Sequence, residues 1–266
     1  MLPSGIIQVV QVFEIRWPGT WLDGTPSRDQ VEPLLYQLEN QLTDASVGLA
    51  LFEEARSRPW PKPGWMRRQA TAQVIAQAME SQLPGNLTPE QRFAAQRDIP
   101  DAADLEARRQ EWAAGHMPEK YERRLPFIHA HTVVYALDSI GKVLRILAAI
   151  NGVPAAVKAA HDAYLAALPD LIHVRNSAHH TEDRARGIDR RGHPIALQPV
   201  NNQMFNAPNG LLGLSNLNGN ILGYTANDGH YREIEISTKS VAAAQTAIQQ
   251  TLDALSWRGP VRTVPS

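Results

Sequence analysis

The sequence predicts a mainly α protein, an up-and-down bundle of four to five long helices with a small β-hairpin or meander attached. Three observations carry that prediction. Apolar residues recur at helical spacing in several long segments; two of those segments are joined by the short turn Asn151-Gly152-Val153-Pro154; and residues 187–237 are dense in Gly, Asn and Pro instead. A short connection between amphipathic helices makes them antiparallel neighbours. We read residues 1–266 as one helical domain. Residues 1–124 form an N-terminal helical part with a polar insertion at 84–124, and residues 125–256 form a core that includes the β-decorated loop 187–237.

Taken in order, residues 6–17 are rich in Ile and Val, carry Phe13 and Trp17, and end at Pro18-Gly19, which reads as a strand. A helix follows from Ser27, where Ser27 and Gln30 have capping-box spacing and the apolar positions are 31, 35, 38, 42, 45, 49 and 52. Residues 65–82 form a second helix with Val74, Ile75, Ala78 and Met79 on one face. From 84 to 125 the chain is polar and broken by prolines, so short helices and connectors are expected, with starts at Thr88-Pro89-Glu90 and at Asp101. The charge runs there read as solvated faces.

Val133, Leu137, Ile140, Leu144 and Leu147 mark a strong amphipathic helix. After the turn, a second runs through Val157, Tyr164, Leu168 and Leu171. Strand-like pieces follow at 195–199, 220–225 and 231–236, the last two joined at Asp228-Gly229. A final helix over 239–255 sets Val241, Gln245, Ile248, Leu252 and Leu255 on one side. There is no internal repeat or low-complexity tract.

Composition narrows the function classes. Hydrophobic residues make up 43% and charged residues 20%, enough apolar mass for a core. The net charge is −1, so no global basic field announces nucleic acid and any anion site must be local. Arg outnumbers Lys 21 to 5, which favours planar, bidentate recognition. The absence of cysteine excludes disulfides, thiolate nucleophiles and zinc–thiolate centres. The apolar start has no preceding basic region and is interrupted by Gln and Glu, so no membrane span or signal peptide is expected and the expected location is cytoplasmic.

The helix through Tyr164 leads into "LPDLIHVRNSAHHTEDRARG", residues 168–187. Leu168, Leu171 and Ile172 continue the apolar stripe, but its next position is Arg175, followed by Asn176 and by His179-His180. Helix positions four apart differ by about 40° in azimuth and positions five apart by about 140°. Arg175 and His179 therefore share the stripe, while His173, Asn176 and His180 form a neighbouring polar stripe at i, i+3, i+7. A buried guanidinium needs a partner. Three readings are open. The polar residues are solvated beyond the last packed turn; or Arg175 is tied to an internal carboxylate such as Asp138; or Arg175 and the histidines meet at a pocket or symmetric interface to hold a phosphate.

Arg175-Asn176-Ser177-Ala178-His179-His180 resembles the R-x4–6-H signature of the HEPN superfamily (higher eukaryote and prokaryote nucleotide-binding domains), in its R-N-x-x-x-H form. An amphipathic helix before the motif helix and a terminal one after it match that family's bundle, over roughly residues 125–256. In this register Arg175, Asn176 and His180 take the motif positions and His179 falls one residue early. The resemblance implies a metal-independent, cofactor-free endoribonuclease acting on RNA in a bacterial defence, stress or toxin system. It implies a homodimer whose two motifs face each other, with an antitoxin or other regulatory protein as a further partner. Arg175 would clamp the scissile phosphate, Asn176 would position it, and His180 would be the general acid/base, with His179 the alternative. The chemistry of the residues agrees. Imidazole moves protons near neutrality, and guanidinium forks onto two phosphate oxygens. The rival expectation is a non-catalytic HEPN-like module that binds a nucleotide or protein; a purely structural helical protein is the third.

Other features read more plainly. His129 and His131 are two apart on a helix, hence on opposite sides, and read as surface or satisfied core histidines. A metal site from His173, His180 and His193 is conceivable but lacks carboxylates at motif spacing beyond Glu182 and Asp183, so no metal is expected. "NGLLGLSNLNGN" has no phosphate-loop pattern. Arg184, Arg186, Arg190 and Arg191, broken by Asp183 and Asp189, either guide RNA toward the motif or belong to a solvated loop. Trp17, Trp60, Trp65 and Trp112 read as packing residues.

Overall fold

The computed structural model describes residues 11–24, 27–59, 64–202 and 204–265; residues 6–10 of the expected strand, and Trp60, lie outside them. The chain is mainly helical, with small antiparallel β-pairings. It divides into two compact units, Met1–Ala55 with Pro126–Ser266, and Arg56–Leu125. The stretch read as a polar insertion thus falls in one unit with the helix that precedes it.

The first unit opens with two short strands, β1 (Ile15–Trp17) and β2 (Trp21–Leu22), separated by Pro18-Gly19. Ile15 and Trp17 are buried and Arg16 between them is exposed, the alternation expected of a half-buried strand. Helix α1 (Arg28–Ser57) follows. Its first turn is entered through Ser27 at φ 59°, whose carbonyl accepts the Gln30 N–H at 2.8 Å. Val31, Leu35, Leu38, Leu42, Ala45, Leu49 and Phe52 are all buried, so the apolar spacing does face the core.

The second unit contains α2 (Gly64–Ser81), α3 (Pro89–Ala113) and the short α4 (Glu119–Glu122). The start at Thr88 is a reciprocal capping box. Thr88 Oγ1 accepts the Gln91 N–H at 3.2 Å, and Gln91 Oε1 accepts the Thr88 N–H at 3.0 Å. The expected break before Asp101 does not occur, and α3 runs through Pro100. Proline's fixed φ suits a helix and its cost is one hydrogen bond and a crowded carbonyl. Packing against α2 along α3, with Ile99, Ala103 and Ala107 buried, offsets that cost. Trp65 and Trp112, expected to pack, are 56% and 45% exposed.

Part of the polar character here is an inter-helix ion-pair ladder. Arg68 Nε lies 3.1 Å from Asp104, its Nη1 lies 3.5 Å from Glu111, and Arg67 Nε reaches Glu111 at 3.1 Å. Burial raises the Asp104 carboxyl, but its hydrogen bonds from Arg68 and Arg108 prevail and hold it below the ordinary range. Arg68→Ala is expected to destabilise this helix pair by about 1–2 kcal/mol. A carboxyl with a depressed folded pKa contributes stability that is present above its unfolded value and lost as pH falls through the folded one. Thermal unfolding at neutral pH and at about pH 3 measures both effects, and the variant is expected to lose less on acidification than the wild type.

The first unit resumes with α5 (Leu125–Ala149), α6 (Ala155–Ala167), α7 (Leu171–His179) and α8 (Thr181–Ala185). The α5 stripe of Val133, Leu137, Ile140, Leu144 and Leu147 is buried, together with Asp138. The uninterrupted helix expected from Val157 into the motif does not form. Leu168 leaves the α region (φ −130°, ψ 61°) because the following Pro169 disfavours it there. The new helix buries Leu171, Val174 and Ser177. Its inward face is thus re-set, and Arg175 flanks the buried stripe instead of interrupting it.

Five strands follow: β3 (Val200–Asn201), β4 (Asn206–Ala207), β5 (Asn216–Asn218), β6 (Ile221–Thr225) and β7 (Tyr231–Glu235). The last three make an antiparallel sheet in which Leu222 faces Ile234 and Tyr224 faces Arg232. Residues 195–199 were expected as strand, yet they lie as irregular chain against the β6–β7 turn, with the Gln198 N–H on Gly229 O at 3.1 Å. Gly229 holds φ 82°, and a Cβ there would overlap the Ala196 carbonyl oxygen.

Helix α9 (Thr238–Ala254) starts at Ser237, whose Oγ accepts the Ser240 N–H at 3.4 Å. Gln245, expected on its core stripe, donates from Nε2 to Glu14 O at 2.6 Å. Gln249 brackets Arg16, accepting its N–H at 2.8 Å and donating to its carbonyl at 2.9 Å. The chain ends in β8 (Trp257–Arg258), paired with β2, and β9 (Arg262–Val264), paired with β1. Arg262 sits 4.4 Å over the Trp17 ring and donates to Glu39 at 2.9 Å, closing the core at this end. No helix among the described residues is long and apolar enough to cross a membrane.

Candidate functional site

Helix α7 carries the motif between α5 on one side and strands β6 and β7 on another. Towards α5, Arg175 Nε lies 2.9 Å from Asp138 Oδ2. Its N–H is not aimed at the carboxylate, so the contact is Coulombic and not an aligned hydrogen bond. Asp138 is only 5% exposed and also takes Lys142 Nζ at 2.6 Å, which matches its charge from two sides. The pairing with Asp138, one of the three readings open from sequence, is formed. Arg175 Nη1 also donates to Asn176 Oδ1 at 3.0 Å. Nearby, the buried Tyr164 donates to Leu137 O at 2.7 Å, and burial first, then the Asp138 charge, pushes its phenol well above the ordinary range. Tyr164 stays protonated at any physiological pH.

On the other side of α7 lies a cleft of ≈ 340 Å³ lined by His173, Asn176, His180, Arg184, Arg190 and the β6–β7 tip residues Asn227 and Asp228. The polar stripe at i, i+3, i+7 therefore forms one wall. His180 is the junction residue between α7 and α8 (φ −110°, ψ 49°), with its N–H closing the helix on Asn176 O at 3.0 Å. Its side chain is 46% exposed, with Nδ1 3.6 Å from Glu182 Oε1. His179 is exposed and meets the His180 ring edge-on at 5.0 Å, but neither it nor Arg175 lines the cleft. His173, weighed from sequence only as a metal ligand, does line it. The i, i+3, i+7 spacing was the signal that could have promoted it.

The four arginines have separate fates. Arg184, expected on a guiding surface or a solvated loop, is 2% exposed. It donates to Ile188 O at 2.8 Å and to Asn227 Oδ1 at 3.4 Å, both neutral oxygens, and its buried Nε has no partner. It makes no ion pair among the described residues, although burying an unmatched charge costs on the order of several kcal/mol. Arg190 is exposed at the cleft, its backbone N–H held by Asn227 Oδ1 at 2.9 Å. Arg186 pairs with Asp183 at 2.6 Å, and the exposed Arg191 donates its backbone N–H to Asp189 at 2.8 Å. The backbone N–H of His193, opposed by burial and joined by that of Arg191, holds the Asp189 carboxyl below its usual range.

The opposite wall is fixed by ion pairs. Arg232 donates to Asp228 at 2.9 Å and to Asp170 at 3.2 Å, tying the hairpin tip to the start of α7. Burial raises the Asp228 carboxyl, but Arg232 and then the His230 N–H outweigh it and depress it. Arg232→Ala is expected to loosen this wall, costing about 1–2 kcal/mol and raising amide exchange at residues 226–230 by about tenfold or more. Unchanged exchange there would show that the tip is held without Arg232, by Asn227 and by the Gln198 N–H on Gly229 O.

Elsewhere, His131 Nε2 meets Tyr224 Oη at 2.6 Å, the satisfied histidine expected. His193 sits beside Asp189 at 3.7 Å, so the conceivable trio with His173 and His180 does not assemble. Ligand-type atoms of His180, Glu182 and Asp183 do lie within 4.8 Å of one another on the exposed side. A second recess of ≈ 290 Å³, lined by Asp138, Lys142, Arg145, His161 and Ile172 among others, meets the first at Asn176. Comparison of the chain with protein-family models, curated proteins and solved structures found no match.

Proposed function

We propose that this protein is a metal-independent endoribonuclease of HEPN type, cleaving RNA by attack of a ribose 2′-OH. The carrying observation is one cleft that holds two imidazoles, two carboxamides and two guanidiniums: His173 and His180, Asn176 and Asn227, Arg184 and Arg190. One imidazole takes the 2′-OH proton as O2′ bonds to phosphorus, and the other protonates the departing 5′-oxygen as the P–O5′ bond breaks. His180, in the register of the family motif, is assigned general acid/base, and the guanidiniums stabilise the charge gathering on the phosphoryl oxygens. The products are a 2′,3′-cyclic phosphate and a 5′-OH. Arg175 acts through Asn176 as a positioning residue, while the homodimer of the family resemblance would set a second copy of each group nearby. RNA is the proposed partner, in a defence or toxin setting with an antitoxin or other regulator.

The test is incubation of purified protein with mixed RNA in EDTA, with analysis of the ends. Cleavage leaving 2′,3′-cyclic phosphates is expected; intact RNA would sink the reading. One observation favours a second reading, a non-catalytic nucleotide-binding module: Arg175 is held by its own chain's Asp138. That module leaves RNA whole in the same experiment and binds a nucleotide in a separate titration.

A further inference from the structure

We infer that Arg184, not the motif arginine Arg175, is the phosphate receptor of this cleft, and that a single protomer binds a phosphate group there without any metal. The two guanidiniums differ in how their charge is met. Arg175 faces Asp138 at 2.9 Å. Arg184 is 2% exposed, and among the described residues its side chain donates to neutral oxygens alone, Ile188 O and Asn227 Oδ1, with a buried Nε left unpartnered. Those two contacts orient the fork without neutralising it, and a planar fork matches two phosphate oxygens.

The rest of the lining suits an anion. His173 and His180 stand on the α7 wall, Arg190 stands at the rim, and the carboxylate among the lining residues, Asp228, is already engaged by Arg232 at 2.9 Å. Asn227 holds the Arg184 guanidinium and the Arg190 backbone through the same oxygen, so it ties the two residues to the hairpin tip. The occupant's identity as an RNA phosphate rests on the nuclease reading; the anion site does not.

The experiment is calorimetric titration of the full chain, in low-chloride buffer, with inorganic phosphate, with adenosine 3′-monophosphate and with adenosine. Saturable binding of the first two and none of adenosine is expected. Tighter binding of the nucleotide than of inorganic phosphate assigns the source to RNA ends, and equal binding assigns it to phosphate alone. Arg184→Met is expected to weaken phosphate binding at least tenfold, Arg190→Ala a few-fold, and Arg186→Ala not measurably. Arg175→Met is expected to bind phosphate at least ten times more tightly than Arg184→Met. If the Met variant does not fold, Arg184→Lys carries the test: it keeps the charge, loses the fork, and is expected to weaken binding at least tenfold. No phosphate binding by the wild type, or undiminished binding by a folded Arg184 variant, overturns the inference. Phosphate binding without RNA cleavage would sink the nuclease reading alone, and cleavage dependent on His180 with no Arg184 effect would sink this inference and the Arg184 role, leaving the nuclease reading standing on His180.

Discussion

His180→Ala is expected to lower RNA cleavage by about two to four orders of magnitude with little change in stability. The side chain is 46% exposed, its nearest partners are Glu182 Oε1 at 3.6 Å and the His179 ring, and truncation leaves no buried group unpaired. The α7 terminus is closed by the backbone N–H of residue 180, which alanine keeps. His179→Ala is expected to retain cleavage within about threefold, because that ring lies outside the cleft. Single-turnover cleavage of a labelled RNA, with a melting curve for each variant, separates chemistry from folding. Equal losses at 179 and 180, or none at either, would remove His180 from the mechanism.

Asp138→Ala is expected to cost about 2–4 kcal/mol of stability, the larger part from leaving Arg175 and Lys142 facing an emptied, low-dielectric site. The upper range for a buried pair is discounted because Arg175 is 24% and Lys142 45% exposed. Arg175→Met alone is expected to cost less, since Asp138 keeps Lys142 at 2.6 Å. Contact between the two makes their effects non-additive by about 1 kcal/mol in a double-mutant cycle. Both variants are also expected to slow cleavage about tenfold through loss of the Arg175 hold on Asn176. Additive stabilities would mean the pair is only a neighbourly arrangement. A thousand-fold activity loss in Arg175→Met alone would give it a direct contact with substrate.

Much of the fold was legible because its helices obey one period over many turns. The residues that spacing selected in α1 and α5 are all buried, although α5 also buries Ala130, Val134, Ala136, Asp138, Gly141 and Val143. What escaped were events of one or two residues with long reach. Pro169 divides α6 from α7 and so re-sets which face of α7 is inside; the stripe argument that made Arg175 anomalous assumed a continuous helix. The pairing of β1 with β9 and of β2 with β8 spans two or three residues each, too few for any periodicity to announce. At the site, the polar stripe of α7 was legible from spacing alone. The burial of Arg184 was not, because the residue that covers it, Asn227, comes 43 positions later and from a strand connection.

That separation has a consequence for when the protein can act. The hydrogen bonds within α7 are local, whereas the wall made by Asn227 and Asp228 needs the β6–β7 ribbon to form and dock, a slower, long-range step. A chain still emerging from the ribosome with the motif helix already formed therefore holds its histidines without a complete cleft. In refolding experiments far-ultraviolet helical signal is expected to return before phosphate binding, and simultaneous recovery would show that the ribbon docks as early as the helix forms.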